Sequence, residues 1–302
     1  MTPTDAPSFP RQNARTQRFT LGRPRSFAVS PDGERVVFIR SAHGTDRVGQ
    51  LWRMDTASGQ ETSLADPAVL LGPAGESLSP AERARRERMR EAAGGVVGYA
   101  TDEEVRQVCF ALSGRLFVAD VGSATVRELE VPGPVIDPRL DPTGSRVAYA
   151  SGGTLRVHEL EGGADRCVAG AVDGDGPDVT YGVADFVAAE ELGRSRGYWW
   201  APSGEQLLVA RVDDAPVAVW HVSDPAHPEH PATPQRYPAA GTPNAEVSLW
   251  LVDLAGARTP LTWDRAGFEY LASVHWSSRG APLVQGLDRT QGRSQVLRVD
   301  PD

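Results

Sequence analysis

The chain is 302 residues long, 40% hydrophobic, and carries a formal net charge of −9 at pH 7. That composition is globular and sufficient for a substantial core, and its acidity argues against binding nucleic acid or anionic membranes through a net basic face. Its cysteines, Cys109 and Cys167, are too few for a disulfide framework and lack metal-ligand spacing, although sequence alone leaves a single bridge open.

From the N-terminus, Met1 to Pro10 contains no basic region followed by an apolar core, so no secretory signal is expected. No stretch approaches the roughly 18 apolar residues of a spanning helix. A cytoplasmic address follows as an expectation. Ser30-Pro31-Asp32-Gly33 then precedes the apolar run Val36-Val37-Phe38-Ile39, and Leu51-Trp52-Arg53-Met54-Asp55 reads as a second strand ending on an acid. Pro, a polar residue and Gly between β-rich runs form a type I turn signal.

An insertion follows over 66–91. Within it Ser79-Pro80-Ala81-Glu82 is a capping box with Pro at the first helical position, and it predicts a helix to about Ala93. This helix carries Arg83, Arg85, Arg86, Arg88 and Arg90, and offers only Ala84, Met89 and Ala92 for packing. One reading is a solvated helix held by surface pairs such as Glu82 with Arg86 and Glu87 with Arg90.

The turn-and-strand unit returns at Asp141-Pro142-Thr143-Gly144 before Val147-Ala148-Tyr149, and at Ala201-Pro202-Ser203-Gly204 before Leu207-Leu208-Val209. Weaker copies are Leu112-Ser113-Gly114 and Ser277-Ser278-Arg279-Gly280. Strands ending near acids recur at Leu155 to Glu159, Leu249 to Asp253 and Val296 to Asp300. Hairpins repeated in this way are the signature of propeller blades, with about 40 to 50 residues per four-stranded blade. The expected fold is therefore an all-β propeller of four-stranded blades, incomplete at its C-terminal side, with a short inserted Arg-rich helix near residues 79–93.

Four motifs could carry chemistry. Asp173-Gly174-Asp175-Gly176-Pro177-Asp178 fails as a calcium loop, because Pro177 stands at the third ligand position and Ala184 at the twelfth. Gly193-Arg194-Ser195-Arg196-Gly197 fits G-x-S-x-G, but a nucleophile elbow needs a strand before the Ser and a helix after it, whereas the aromatic run Tyr198-Trp199-Trp200 follows. His221, His227 and His230 lie in the Pro-rich loop 216–243, where Pro225, Pro228 and Pro231 favour an extended surface loop over a ligand-converging scaffold. No metal and no cofactor are expected.

The fourth is Glu190-Glu191. Like charges a few ångströms apart are unfavourable unless a cation compensates them, and a peptide's α-ammonium is such a cation. Convergence of neighbouring side chains requires a turn or a single helical turn here. The alternative is a solvated surface pair.

The run Gly182 to Val217, in which Asp185-Phe186-Val187-Ala188-Ala189-Glu190-Glu191 leads into Gly197-Tyr198-Trp199-Trp200-Ala201-Pro202 and Arg211-Val212-Asp213-Asp214-Ala215-Pro216-Val217, resembles the double-glutamate segment of the dipeptidyl peptidase IV family. Gln235 to Asn244, running into Val247 to Leu254, is similar to the segment that follows it in bacterial members. The resemblance implies that Glu190 and Glu191 hold a substrate's free N-terminus. It implies further that an arginine of the helix near 80–93, Arg88 first and Arg85 second, reaches the substrate's backbone carbonyl. Many members carry a third acid just before the pair; here that position is Ala189. The resemblance implies that 1–302 is the N-terminal propeller domain of that family, truncated at its C-terminal side, and that the family's α/β-hydrolase domain is not among these residues. The implied function is the gating half of a serine dipeptidyl aminopeptidase that removes N-terminal dipeptides with Pro or Ala second. The implied partners are a peptide substrate and a hydrolase domain on the same or an adjacent chain. Alone the chain is expected to be catalytically silent, and open terminal blades invite association, for instance as a homodimer. The alternative is a non-catalytic propeller that binds peptides or proteins.

Overall fold

The computed structural model of the chain describes residues 7–172 and 174–299; Asp173 of the rejected calcium loop and Asp300 of the last expected strand lie outside the described residues. The chain divides into two compact units, Met1–Val147 and Ala148–Asp302.

After a short helix, Phe9–Arg15, the first unit contains two antiparallel meanders. One takes Arg25–Val29, Arg35–Ser41, Val48–Asp55 and Glu61–Ala65 in sequence order, with Gly94–Gly95 joining Val48–Asp55 in parallel; the other takes Ala100–Thr101, Gln107–Leu112, Arg115–Asp120 and Thr125–Leu129. Their buried side chains form one core, with Val37, Ile39 and Leu51 from the first and Val108, Phe110 and Phe117 from the second. Phe110 and Phe117 stack with ring centroids 5.4 Å apart. Ile136–Leu140 follows as the last full strand of this unit.

The second unit opens on Arg146–Ser151, which straddles the division, then Thr154–Glu159 and Asp165–Ala169. A five-stranded sheet follows in the order Val179–Val183, Arg196–Trp200, Gln206–Asp213, Glu246–Asp253, Arg258–Leu261; then a three-stranded meander of Tyr270–Ser277, Gly280–Leu287 and Ser294–Arg298. Val157, Tyr181, Tyr198, Leu207 and Val209 form one core here, and Trp199, Leu208, Leu249, Leu271 and Val284 another. The alternation of Tyr198 and Trp200 against Trp199 and Leu208 is the period-2 consequence of a strand buried on both faces.

The three strong turn copies share one geometry. Gly33 N–H donates to Ser30 O at 2.8 Å, Gly144 to Asp141 O at 3.0 Å and Gly204 to Ala201 O at 2.9 Å. Each Gly has a φ of 72–74°, the left-handed region that glycine occupies without a Cβ penalty. Leu112-Ser113-Gly114 is a different device: Ser113 and Gly114 both have positive φ and Leu112 pairs with Arg115, a two-residue hairpin of type I′ character. Ser277 pairs with Gly280 around a two-residue loop as well. The recurrent acid at strand ends also has a structural cause. Asp55 accepts hydrogen bonds from Ser58 N and Oγ at 2.7 and 2.6 Å, and Asp253 from Ala255 N and Ala257 N at 2.9 and 2.8 Å, closing the next turn.

Two sequence expectations are corrected. The inserted helix runs Pro80–Arg88 and stops short of Ala93. Its end is a Schellman motif, with Arg90 N donating to Glu87 O at 3.0 Å and Glu91 N to Arg86 O at 2.8 Å, while Arg90 occupies the left-handed position (φ 53°) where a glycine would have signalled the stop. The loop 216–243 contains a two-stranded arm, Val219–Val222 paired with Thr233–Arg236, between two strands of the five-stranded sheet. As a two-stranded ribbon it has two free edges, so Pro234 is tolerated within it. Arg236 fastens the arm, donating to Asp178 Oδ1 and Oδ2 at 3.1 and 2.5 Å and to Val217 O at 2.7 Å.

Cys109 and Cys167 are free thiols. Burial pushes the Cys109 thiol up to about 12.

Gly197 is required by backbone approach. A Cβ there would lie 2.2 Å from Val183 N and 2.3 Å from the Gly182 carbonyl carbon. Gly197→Ala is therefore expected to cost at or above the upper end of the about 1–3 kcal/mol of overpacking. Urea unfolding checks this, and an unshifted midpoint would contradict the contact.

Candidate functional site

Strand Val179–Val183 pairs with two neighbours. Val179, Thr180 and Tyr181 face Asp213, Val212 and Arg211, while Gly182 and Val183 face Gly197 and Arg196. Between Val183 and Arg196 the chain leaves the sheet and returns, and this excursion carries the glutamate pair.

Asp185 starts it. Its carboxylate caps the helix Phe186–Glu190 by accepting from Ala188 N at 2.9 Å. Its other oxygen accepts from Arg194 Nη2 at 2.7 Å. Arg194 also donates to Leu271 O at 2.8 Å through Nε and to Arg196 O at 2.7 Å through Nη1. Asp185 and Arg194 are 7% and 6% exposed, so this is a buried pair in which four hydrogen bonds offset desolvation. Burial pulls the Arg194 guanidinium below its ordinary value, and Asp185 opposes that shift. The return is completed by Arg194 N donating to Ala188 O at 2.9 Å, with Gly193 in the left-handed region (φ 68°).

Val187 and Ala188 bury one side of the short helix. Glu190 is its last residue and is half-buried; Glu191 is the C-cap and exposed. The two residues are thus neighbours at one end of the helix. Among the described residues neither side chain has a hydrogen bond or ion pair. On its other side the helix meets the arm: Phe186 packs edge-on against Tyr237 at 5.3 Å, and Tyr237 against Trp220 at 5.5 Å.

The Arg-rich helix belongs to the first unit. Ser79 caps it by accepting from Glu82 N at 3.2 Å, but the Glu82 carboxylate serves the arginines instead of the cap. It accepts from Arg86 Nε at 3.0 Å and from Arg85 Nη1 at 3.3 Å. Arg86 reaches Glu76 at 2.9 Å as well and is buried, so the Glu82–Arg86 pair lies inside the fold and not on a solvated face. Arg85 lies 3.9 Å from Asp137. Arg88, the last helical residue, is half-buried.

The other motifs resolve plainly. Ser195 lies between a helix and a strand, the reverse of the strand-turn-helix setting of a nucleophile elbow. Asp175 accepts from Val172 N, Tyr181 Oη and Arg211, which consumes its oxygens. The histidines depart from the expected extended loop. His227 and His230 converge on Glu229 at the tip of the arm, with one ligand atom from each within 4.8 Å of the others, while His221 lies apart on Val219–Val222. Among the described residues no helix is long and apolar enough to cross a membrane.

The sequence reading missed Asp185 and Arg194 as the mounting of the helix, and Phe186, Trp220 and Tyr237 as its contact with the arm. Asp185 does carry a local signal, an N-cap residue ahead of Phe-Val-Ala-Ala. Arg194 carries none, because the partners that fix its guanidinium besides the nearby Arg196 carbonyl lie 9 and 77 residues away.

Comparison with known proteins agrees with this architecture. A probable dipeptidyl-aminopeptidase B of Aspergillus oryzae is 25% identical over 309 residues, covering 92% of this chain and 33% of that protein. Mouse dipeptidyl peptidase 8 is 31% identical over 144 residues, covering 40% of this chain and 16% of its own length. The crystal structure of Porphyromonas gingivalis dipeptidyl peptidase 4 superposes with a TM-score of 0.70 at 21% identity, over 98% of this chain and 41% of that one. The chain thus spans a third or less of the two curated relatives and 41% of the P. gingivalis chain, and its repeated meanders are those of a β-propeller. The family model for the dipeptidyl peptidase IV N-terminal region matches residues 96–302, and with the fold this places the chain in that family.

Proposed function

We propose that this chain is the substrate-gating part of a serine dipeptidyl peptidase, in which Glu190 and Glu191 hold the free N-terminal ammonium of a peptide. The carrying observation is a contrast in pairing. Around the excursion Asp185, Asp175 and Asp178 are each engaged by an arginine, whereas Glu190 and Glu191 have no protein partner among the described residues. Two adjacent uncompensated carboxylates favour a cation with several N–H donors, and an α-ammonium supplies three.

A fixed amine anchor sets the cleavage register, because it places the second peptide bond at a nucleophile supplied elsewhere. A Ser-His-Asp hydrolase domain performs the acyl transfer, with His as general base, and dipeptides with Pro or Ala second are released. The setting is cytoplasmic.

Binding tests the clamp without the catalytic domain. A peptide with a free N-terminus is expected to bind the chain about 10- to 100-fold more tightly than its N-acetylated form, the range of one or two charge-assisted hydrogen bonds. Glu190→Gln and Glu191→Gln should erase that difference. Equal affinity for both peptides would overturn the reading.

A further inference from the structure

The tip of the arm holds a second group of convergent donors. Val222 and Thr233 form the last paired rung of the hairpin, and the residues beyond it close through two successive turns. His227 N donates to Asp224 O at 3.1 Å, and His230 N to His227 O at 3.0 Å. Pro225 and Pro228 occupy the second position of these turns, where the fixed φ of proline is pre-set for the bend. Asp224 reinforces the first by accepting from Ala226 N at 2.9 Å. The prolines that read as an extending signal in sequence therefore fold this segment back on itself.

The consequence is a triangle of ligand atoms. His227 Nδ1 lies 3.3 Å from Glu229 Oε1 and His230 Nε2 lies 3.7 Å from the same oxygen, and one ligand atom from each of the three residues lies within 4.8 Å of the others. The imidazoles stack at 5.2 Å with planes 20° apart, which turns both rings to one side of the turn. A tetrahedral site with metal–ligand bonds of about 2.0–2.2 Å has ligand-to-ligand edges of about 3.4 Å. Two edges of this triangle already match. Each neutral ring can turn an N–H toward the carboxylate in one tautomer; in the other tautomer its lone pair faces the same point, so a divalent cation there would be met by two imidazole nitrogens and one carboxylate oxygen.

We propose that His227, Glu229 and His230 form a binding site for a zinc-class divalent cation, with a fourth position left to water. Two imidazoles and one carboxylate select Zn2+ and its neighbours over Mg2+ and Ca2+, which require oxygen shells. A bound ion would cross-link the two turns and rigidify the tip of the arm. The site rests on the arm alone and is independent of the glutamate clamp.

The test is Co2+ and Zn2+ titration of the full chain. Co2+ should give the intense visible absorption of a four-coordinate centre, Zn2+ should bleach it at one equivalent, and Mg2+ should leave it unchanged. All three side chains are exposed, so His227→Ala, His230→Ala and Glu229→Gln should fold as the parent does. Each should weaken Zn2+ at least tenfold, since losing a direct ligand costs no less than the about 10- to 100-fold of losing an outer-shell partner. A weak octahedral spectrum, or unaltered Zn2+ affinity in both histidine variants, would overturn the proposal.

Discussion

Replacing Glu190 or Glu191 by Ala in the chain joined to a catalytic hydrolase domain should lower kcat/KM for a chromogenic dipeptide substrate by about 10- to 100-fold each. That is the kinetic equivalent of about 1.5–3 kcal/mol for a hydrogen bond to a charged group. The loss should be specific. Glu190 is half-buried, Glu191 is exposed and neither has a protein partner among the described residues, so the melting temperature should remain that of the parent. Undiminished turnover in both variants would sink the clamp. A loss accompanied by a lower melting temperature would point to a folding defect instead. Ala189 bears on the magnitude: with no third carboxylate beside the pair, the two glutamates carry the whole local charge.

Asp185→Ala should destabilise the second unit by about 3–5 kcal/mol, the range for leaving one member of a buried ion pair uncompensated. The reason is local. Arg194 is 6% exposed, and without Asp185 its charge keeps only the carbonyls of Leu271 and Arg196. The same change removes the cap from Phe186–Glu190, so the helix presenting the glutamates loosens as well. In thermal unfolding of a unit of this size each kcal/mol corresponds to roughly 2–4 °C. Asp185→Leu combined with Arg194→Met should recover much of the loss, because an apolar pair carries no stranded charge. A single-variant cost below about 1 kcal/mol would show that the pair does not hold the excursion. Glutamate variants alter binding at constant stability, whereas Asp185 variants alter both, which separates the side chains that touch substrate from those that mount them.

Much of the architecture is legible in local chemistry. Pro-polar-Gly ahead of an apolar run specifies its turn through the fixed φ of proline and the left-handed freedom of glycine, and the structure forms that turn at Gly33, Gly144 and Gly204. Ser79 is legible as a cap for the same reason, since its partner is the N–H three residues on. The helix end was not, because Arg90 takes the left-handed position that glycine normally advertises. The arm was not, because four-residue strands interrupted by Pro234 carry almost no periodic signal, and their placement depends on Arg236 reaching Asp178 58 residues away.

The glutamate pair divides in the same way. That Glu190 and Glu191 are adjacent, follow an N-cap and precede an aromatic strand is written in the chain, and with the resemblance to the dipeptidyl peptidase IV family it was enough to single them out. That among the described residues they are left without partners while nearby aspartates are paired was decided only by the tertiary structure. Local hydrogen bonds and fixed dihedrals act between residues a few positions apart and are encoded where they act. Which partner a buried or half-buried charge finds depends on the distant segments that the fold brings together, and here that is the Leu271 carbonyl for Arg194, Asp175 for Arg211 and Asp178 for Arg236.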